Sequence, residues 1–162
     1  MIRLIIDKLG TGHDDLFLKI DSMPSYSKTA DSYYLLDFLE IDWDDSCDQH
    51  NDSEAIRVGC VELLKYWIEI LKNIEKGQTR FLPFDMWDEC IGGLLIEKTK
   101  LGFKTQIGFT DKIHGYEVGK SNIDKLIKER QIDFKFEEKA EWLISEDSFF
   151  GGLDWSINEI KK

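Results

Sequence analysis

Apolar residues recur at helical spacing in one long segment of the chain. Between residues 52 and 76 they follow one another at steps of three and four, which places them on one face of an α-helix. Asn51 and Glu54 have the spacing of a capping box, and Gly77 suits the turn that ends a helix. The sequence therefore predicts a helix over about 52–76 that covers one face of a sheet. Its apolar face comprises Ile56, Cys60, Leu63, Leu64, Trp67, Leu71 and Ile74.

Shorter runs of branched and aromatic residues on both sides of this helix predict strands. Residues 9–15 predict a turn, residues 21–27 a loop, and residues 98–102 the turn of a second hairpin. The predicted strands cover residues 2–7, 16–20, 32–43, 79–83, 91–97, 103–110 and 113–118.

The C-terminal part adds helices. Ser121 and Asn122 suit the start of a short helix, residues 132–136 alternate like a strand, and residues 153–160 have the spacing of a terminal helix. Strands on both sides of one long helix favour an α+β fold, with a mostly antiparallel sheet packed against that helix and short C-terminal helices. No repeat, linker or low-complexity tract interrupts the 162 residues, so we expect a single domain over 1–162.

Charge is unevenly distributed along the chain. The formal net charge is −11, and residues 1–56 contribute −9, from four basic and thirteen acidic residues. Between Thr29 and Ile56 there are nine acidic residues and no lysine or arginine. A concentrated negative surface repels nucleic-acid phosphates and anionic membranes and attracts basic proteins. We therefore expect a basic protein as the partner, rather than a nucleic acid or a membrane.

Hydropathy and cysteine content bear on the compartment. No apolar run approaches the roughly 20 residues of a membrane-spanning helix. The segment from Met1 to Asp7 is too short and too soon charged for a secretory signal. Cys47, Cys60 and Cys90 are an odd number, which argues against a disulfide framework. We expect a cytoplasmic protein with free thiols.

An acid-rich segment ends the predicted third strand. On a strand, Glu40, Asp42 and Asp44 point to one face, because successive side chains alternate. Such carboxylates hold Mg²⁺ or Ca²⁺, form a solvated rim, or dock a protein. The glycine and closing glutamate of an EF-hand loop are missing from the sequence at their spacing. Trp43 amid the acids favours docking, because tryptophan is a frequent interface hot spot.

Residues 81–89 mix large aromatic side chains with acids after the long helix. Either this segment is a loop that plugs the end of the sheet, or it presents an apolar ledge that extends the docking surface. Gly92 and Gly93, in the next predicted strand, indicate a bulge or a close approach of two backbones.

The sequence lacks the common catalytic motifs. Cys47 and His50 have ligand-like spacing, but no second pair completes a zinc site. The histidines accompany no Gly-x-Ser-x-Gly elbow, and residues 10–12 lack the third glycine of a nucleotide-binding loop. A Cys–His pair that meets only in space stays open. We expect neither an enzyme nor a bound cofactor or metal.

Several segments together have the character of a known family. They are Tyr33-Tyr34-Leu35-Leu36-Asp37-Phe38, the acid-rich turn, the long tryptophan-bearing helix, and Phe81-Leu82-Pro83-Phe84-Asp85 before Ile91-Gly92-Gly93. Over about residues 30–110 the chain thereby resembles bacterial immunity proteins, the antitoxins of contact-dependent inhibition and polymorphic toxin systems. The resemblance implies binding and neutralisation of a toxin domain, often a basic nuclease. A nuclease cleft is basic because it binds phosphate, so a carboxylate-rich face can cover it.

The predicted function is therefore that of an immunity protein with an acidic surface and aromatic anchors. Two other interpretations stay open, a metal-dependent enzyme that uses Glu40, Asp42 and Asp44, and a non-enzymatic adaptor subunit. The predicted partner-binding residues are Asp37, Glu40, Asp42, Trp43, Asp44, Asp45, Asp48, Asp85, Trp87 and Asp88.

Overall fold

The computed structural model describes residues 1–7, 12–23, 25–43 and 53–162. Within these ranges the chain forms seven strands, four α-helices and one 3₁₀ helix. The first half contains β1 (Ile2–Ile6), β2 (Leu16–Ile20), β3 (Ser27–Ala30), α1 (Leu35–Leu39) and α2 (Ser53–Asn73). The second half contains β4 (Thr79–Met86), β5 (Ile91–Lys98), β6 (Phe103–Thr110), the 3₁₀ helix (Gly115–Glu117), α3 (Ile123–Glu129), β7 (Lys135–Ile144) and α4 (Glu146–Ile160).

The strands form two antiparallel sheets, each in chain order. β1, β2 and β3 form one sheet, in which Ile2 pairs with Ile20. β4, β5, β6 and β7 form the other. The pairing of β4 with β5 shifts between Pro83 and Asp85. A bulge of this kind bends the strand and redirects the side chains beyond it, so it sets the direction of the residues that follow Pro83.

One hydrophobic cluster joins both sheets to the helices. On α2, the fully buried Trp67 lies with its ring 6.4 Å from that of Phe84 and donates its indole N–H to the Pro83 carbonyl at 3.0 Å. That bond pairs the single polar group of a large buried side chain. At the other end of the cluster, α4 packs on β1, where the Ser156 hydroxyl accepts the Leu4 N–H at 2.9 Å.

The predicted α+β class is confirmed, with one long helix packed on a sheet. The predicted apolar face of α2 is buried, but the helix ends at Asn73, four residues before Gly77. The hairpins β1–β2 and β5–β6 form as predicted, and the predicted terminal helix forms as α4 but begins at Glu146, ahead of the predicted residues 153–160. The predicted cap residue Asn51 lies outside the described residues.

Two predicted strands are wrong. Residues 32–43 contain helix α1, whose apolar residues are buried and pack on α2 while Asp37 is exposed. When most sides of a short helix are buried, nearly all of its residues are apolar, and such a run has the composition of a buried strand. The sequence pattern therefore predicted a strand where a helix forms. The strand of this region is β3, at the end of the predicted loop, and residues 113–118 contain the 3₁₀ helix. The strands also divide into two sheets where one was predicted.

Candidate partner-docking surface

The end of β4 and the turn after it carry three of the predicted partner-binding residues. Residues 81–86 are strand, not a plugging loop. The Trp87 N–H donates to the Cys90 carbonyl at 2.8 Å and closes the turn into β5. Asp88 is exposed, as is 48% of Trp87. The Trp87 indole N–H donates to Asp85 Oδ1 at 2.6 Å, so a large aromatic ring is held at the surface in one orientation.

Two tyrosines between β3 and α1 extend this aromatic surface. The Tyr34 hydroxyl donates to the Asp88 carboxylate. This bond is the main reason why the pKa of Tyr34 is raised to about 12, and the charge of Asp37 adds to the effect. The rings of Tyr33 and Tyr34 meet edge to face, with centroids 4.9 Å apart. Asp37 and Asp88 therefore lie around one tyrosine, although they are far apart in sequence.

The loop before α3 borders Trp87 on another side. The Gly115 N–H donates to the Trp87 carbonyl at 2.6 Å, and His114 Nδ1 lies 2.9 Å from the Asp88 carbonyl. The Tyr116 ring stacks on that of His114, with centroids 5.3 Å apart, and is 64% exposed. We call these connected side chains, which join three loops, the Trp87 surface. Its members are Tyr33, Tyr34, Trp87, Asp88, His114 and Tyr116.

A cleft of about 350 Å³ opens beside Trp87 and contains a His–Asp pair. His13 Nδ1 lies 2.7 Å from Asp31 Oδ2, and the buried Asp31 also accepts the Asp14 N–H. Asp31 thereby fixes the imidazole, and this hydrogen bond raises the pKa of His13. This is the arrangement of a base with its orienting acid. Among the described residues that line the cleft there is no serine, threonine or cysteine to act as nucleophile.

The remaining predicted acids do not form a strand face. Glu40 ends α1 in the left-handed conformation, with φ of +55°. Its carboxylate accepts the N–H and hydroxyl of Ser121, and these bonds lower the pKa of Glu40. Asp42 is exposed and Trp43 is half-buried. The predicted convergence of Glu40 and Asp42 on a strand is therefore wrong. Asp44, Asp45 and Asp48 lie outside the described residues.

Metal and thiol chemistry find little support in the described ranges. Across residues 1–7, 12–23, 25–43 and 53–162, no group of three or more histidine, cysteine, aspartate or glutamate side chains is placed to hold a metal ion. Cys60 is buried and Cys90 half-buried, and both are free thiols. Burial raises the pKa of both, so neither has the environment of a reactive thiolate. Cys47 and His50 lie outside the described residues.

Of the Trp87 surface, only Trp87 and Asp88 are among the partner-binding residues that the sequence predicts. Tyr33 and Tyr34 were noted, but as strand residues, and the pairing of Tyr34 with Asp88 spans 54 positions. His13 and Asp31 are 18 positions apart, in no motif. The available signal was local: Tyr33, Tyr34 and Tyr116 each lie within three residues of an acid in the sequence.

Comparisons with protein-family models, with curated proteins and with solved structures found no match to this chain. Among the described residues, no helix is both long and apolar enough to cross a membrane.

Proposed function

We propose that this chain is an immunity-type binding protein that neutralises a basic protein partner, such as a toxin nuclease domain, by docking through the Trp87 surface. The observation that carries the proposal is a large, half-exposed indole fixed by Asp85 and surrounded by tyrosines and carboxylates. Tryptophan and tyrosine are the residues most enriched in binding hot spots. Side chains that are already ordered lose little entropy on binding.

Charge supports a basic partner. Asp37 and Asp88 flank Tyr34, while the net charge of the chain is −11. Opposite charge on a partner accelerates encounter, to about 10⁸ M⁻¹s⁻¹ or faster at low salt. In this proposal the aromatic side chains form the water-excluding centre of the interface, and the acids orient the basic partner as it approaches. Neither catalysis nor a cofactor is part of the function.

The test is capture of basic toxin nuclease domains by the purified chain at low and moderate salt, together with protection of cells that express the captured toxin. We expect wild-type chain to bind and protect, and Asp37→Asn/Asp88→Asn to bind more slowly and with weaker salt dependence. The matched control is Asp133→Asn/Asp154→Asn, which removes two exposed acids outside the Trp87 surface. Absence of binding to every domain, with no protection, would contradict the proposal.

The His13–Asp31 pair favours one other candidate, a hydrolytic enzyme in which His13 activates water in the cleft. His13→Ala separates the two functions. Loss of binding and protection with Trp87→Ala, but not with His13→Ala, supports docking. A hydrolytic activity lost with His13→Ala supports the enzyme.

A further inference from the structure

Trp87 also borders a second cavity, a groove of about 400 Å³ between β3 and the second sheet. Aromatic walls are supplied by Phe84, Trp87 and Phe109, and glycines lie along part of the lining. The ionisable groups that line it are Lys28, Asp85, Cys90 and Glu137. A concave, mostly apolar site with a few convergent polar groups is the usual form of a ligand pocket.

Asp85 contributes a carboxylate that is only half satisfied. Its Oδ1 accepts both the Asp31 N–H, at 3.3 Å, and the Trp87 indole N–H, at 2.6 Å. No described residue donates to Oδ2. Burial raises the pKa of Asp85 to about 6, because a charged carboxylate is disfavoured away from water. A cation in the groove would therefore relieve the unfavourable charge of a half-buried carboxylate.

The charges around the groove are mostly negative. Asp85, Glu89 and Asp111 all act on Cys90 to raise its pKa, and Lys28 opposes them. The charge of Lys28 also lowers the pKa of Asp85, but its ammonium forms its ion pair with Glu137, at 3.6 Å, and burial still raises the pKa of Asp85 above its ordinary value. Lys135 likewise pairs with Asp111, at 2.6 Å. The carboxylate of Asp85 is thus the group in the groove that most needs an added cation.

The absence of a side chain at Gly92 leaves space beside this carboxylate, and the packing of the fold does not require a glycine at this position. A Cβ at position 92 meets only ordinary contacts, the nearest being Asp85 Cβ at 3.5 Å. At the neighbouring Gly93, a Cβ would lie 2.2 Å from the Leu82 carbonyl oxygen, so packing alone explains that glycine. Gly92 keeps the groove open rather than holding the sheet together.

We propose that this groove receives one lysine side chain of the protein partner, with its ammonium on Asp85 and its methylenes between Trp87 and Phe109. The inference rests on the proposed function and names the group that the partner supplies. An ammonium ion is a compact point charge that needs a single oxygen. An arginine fork is best matched by two free carboxylate oxygens, and Asp85 Oδ1 is already occupied. The aromatic walls favour a cation with an apolar stem.

The test uses Nα-acetyl-lysine N-methylamide as a probe, with the arginine and norleucine analogues as matched controls. Binding to the isotope-labelled full chain is followed by NMR at the Trp87 indole N–H and the Gly92 and Gly93 amides. We expect saturable shifts with lysine at millimolar concentrations, at least threefold weaker binding of arginine, and no saturable binding of norleucine. Asp85→Asn and Gly92→Val should each weaken lysine binding at least tenfold.

Asp154→Asn is the control, because Asp154 is an exposed acid that neither lines the groove nor belongs to the Trp87 surface, and it should bind the lysine probe as wild type does. Gly92→Val is interpreted only if its spectrum is that of a folded chain, and Asp85→Asn keeps the test decisive otherwise. Absence of saturable lysine binding, equal binding of norleucine, or unchanged binding by Asp85→Asn overturns the inference. If basic domains are nevertheless captured, the proposed function is retained and only the lysine site in the groove is rejected. If the lysine probe binds but no basic domain does, the proposed function fails and an ammonium site remains.

Discussion

At the scale of single residues, carboxylates fix the aromatic rings of the Trp87 surface and of the cleft beside it. Asp85 holds the Trp87 indole, Asp88 accepts the Tyr34 hydroxyl, and Asp31 holds the His13 imidazole. In each case a carboxylate limits the motion of a ring at the surface, and Asp31 is buried, Asp85 half-buried and Asp88 exposed. The acids therefore act as positioning groups as well as charges. Net charge alone gave no indication of this role.

The Asp85 carboxylate gives lysine binding a defined pH dependence. Because the pKa of Asp85 is about 6, most of the carboxyl is protonated at pH 5 and most is ionised at pH 7. Only the ionised form attracts an ammonium ion. Affinity for the lysine probe should therefore fall about tenfold from pH 7 to pH 5. NMR titration measures this change, and Asp85→Asn should bind weakly with no such dependence. A flat profile in the wild type would show that Asp85 does not carry the interaction.

The His13–Asp31 pair makes a second prediction at this scale. Asp31→Asn removes the charge that raises the pKa of His13, so the pKa should fall, as measured by NMR titration of the imidazole. The raised pKa stabilises the fold below the ordinary value of 6.5, and this contribution is lost as the pH rises through the folded-state pKa. Asp133→Asn, the matched control, should leave the titration of His13 unchanged. An unchanged His13 titration in Asp31→Asn would contradict the pairing.

At the scale of elements, neighbouring glycines show which backbone contacts the fold requires. In α4, a Cβ at Gly152 would lie 2.0 Å from the Ile2 carbonyl oxygen, because the helix packs directly on β1. At the adjacent Gly151 nothing lies within 4 Å of the added atom. The two positions are in the same helix and differ only in the face that they occupy.

We therefore expect opposite effects of the two alanine substitutions on the free energy of unfolding. Gly152→Ala should destabilise the chain by about 1–3 kcal/mol, because it overpacks the contact with β1. Gly151→Ala should stabilise it by about 0.5–1 kcal/mol, because alanine has a higher helix propensity than glycine and its methyl group meets no other atom at this half-buried position. Urea unfolding followed by circular dichroism measures both changes. Equal effects of the two variants would contradict the packing of α4 on β1.

The secondary-structure elements also show which features of the fold a local sequence pattern can predict. Helix α2 and the two hairpins were predicted because their signals lie within a few residues of one another. Helix α1 was mistaken for a strand, since Leu35 and Phe38 are both buried in a helix of only five residues. The turn at Trp87 was singled out from its composition. Its contacts with Tyr34 and His114 were not predicted, because they join residues 26 or more positions apart.

At the scale of the whole molecule, the chain combines an asymmetric charge distribution with an exposed aromatic surface. In the proposed function, the net charge of −11 accelerates the approach of a basic partner, and this effect weakens with salt because screening shortens the range of surface charges. In the same proposal, the Trp87 surface sets the dissociation rate of the partner, because the desolvated centre of an interface determines most of that rate. The effect of charge on the association rate and the effect of the aromatic side chains on the dissociation rate should thus be measurable separately.

The most direct measurement is the affinity of the full chain for a captured basic nuclease domain, by calorimetry at low and moderate salt, with Trp87→Ala beside Phe136→Ala. Phe136 is the matched control, since it is also aromatic and 48% exposed but lies on β7, outside the Trp87 surface. Trp87→Ala should weaken binding by about thirtyfold at both salt concentrations, as expected for a hot spot of about 2 kcal/mol. Phe136→Ala should change affinity less than threefold. Wild-type affinity in Trp87→Ala would contradict the central claim.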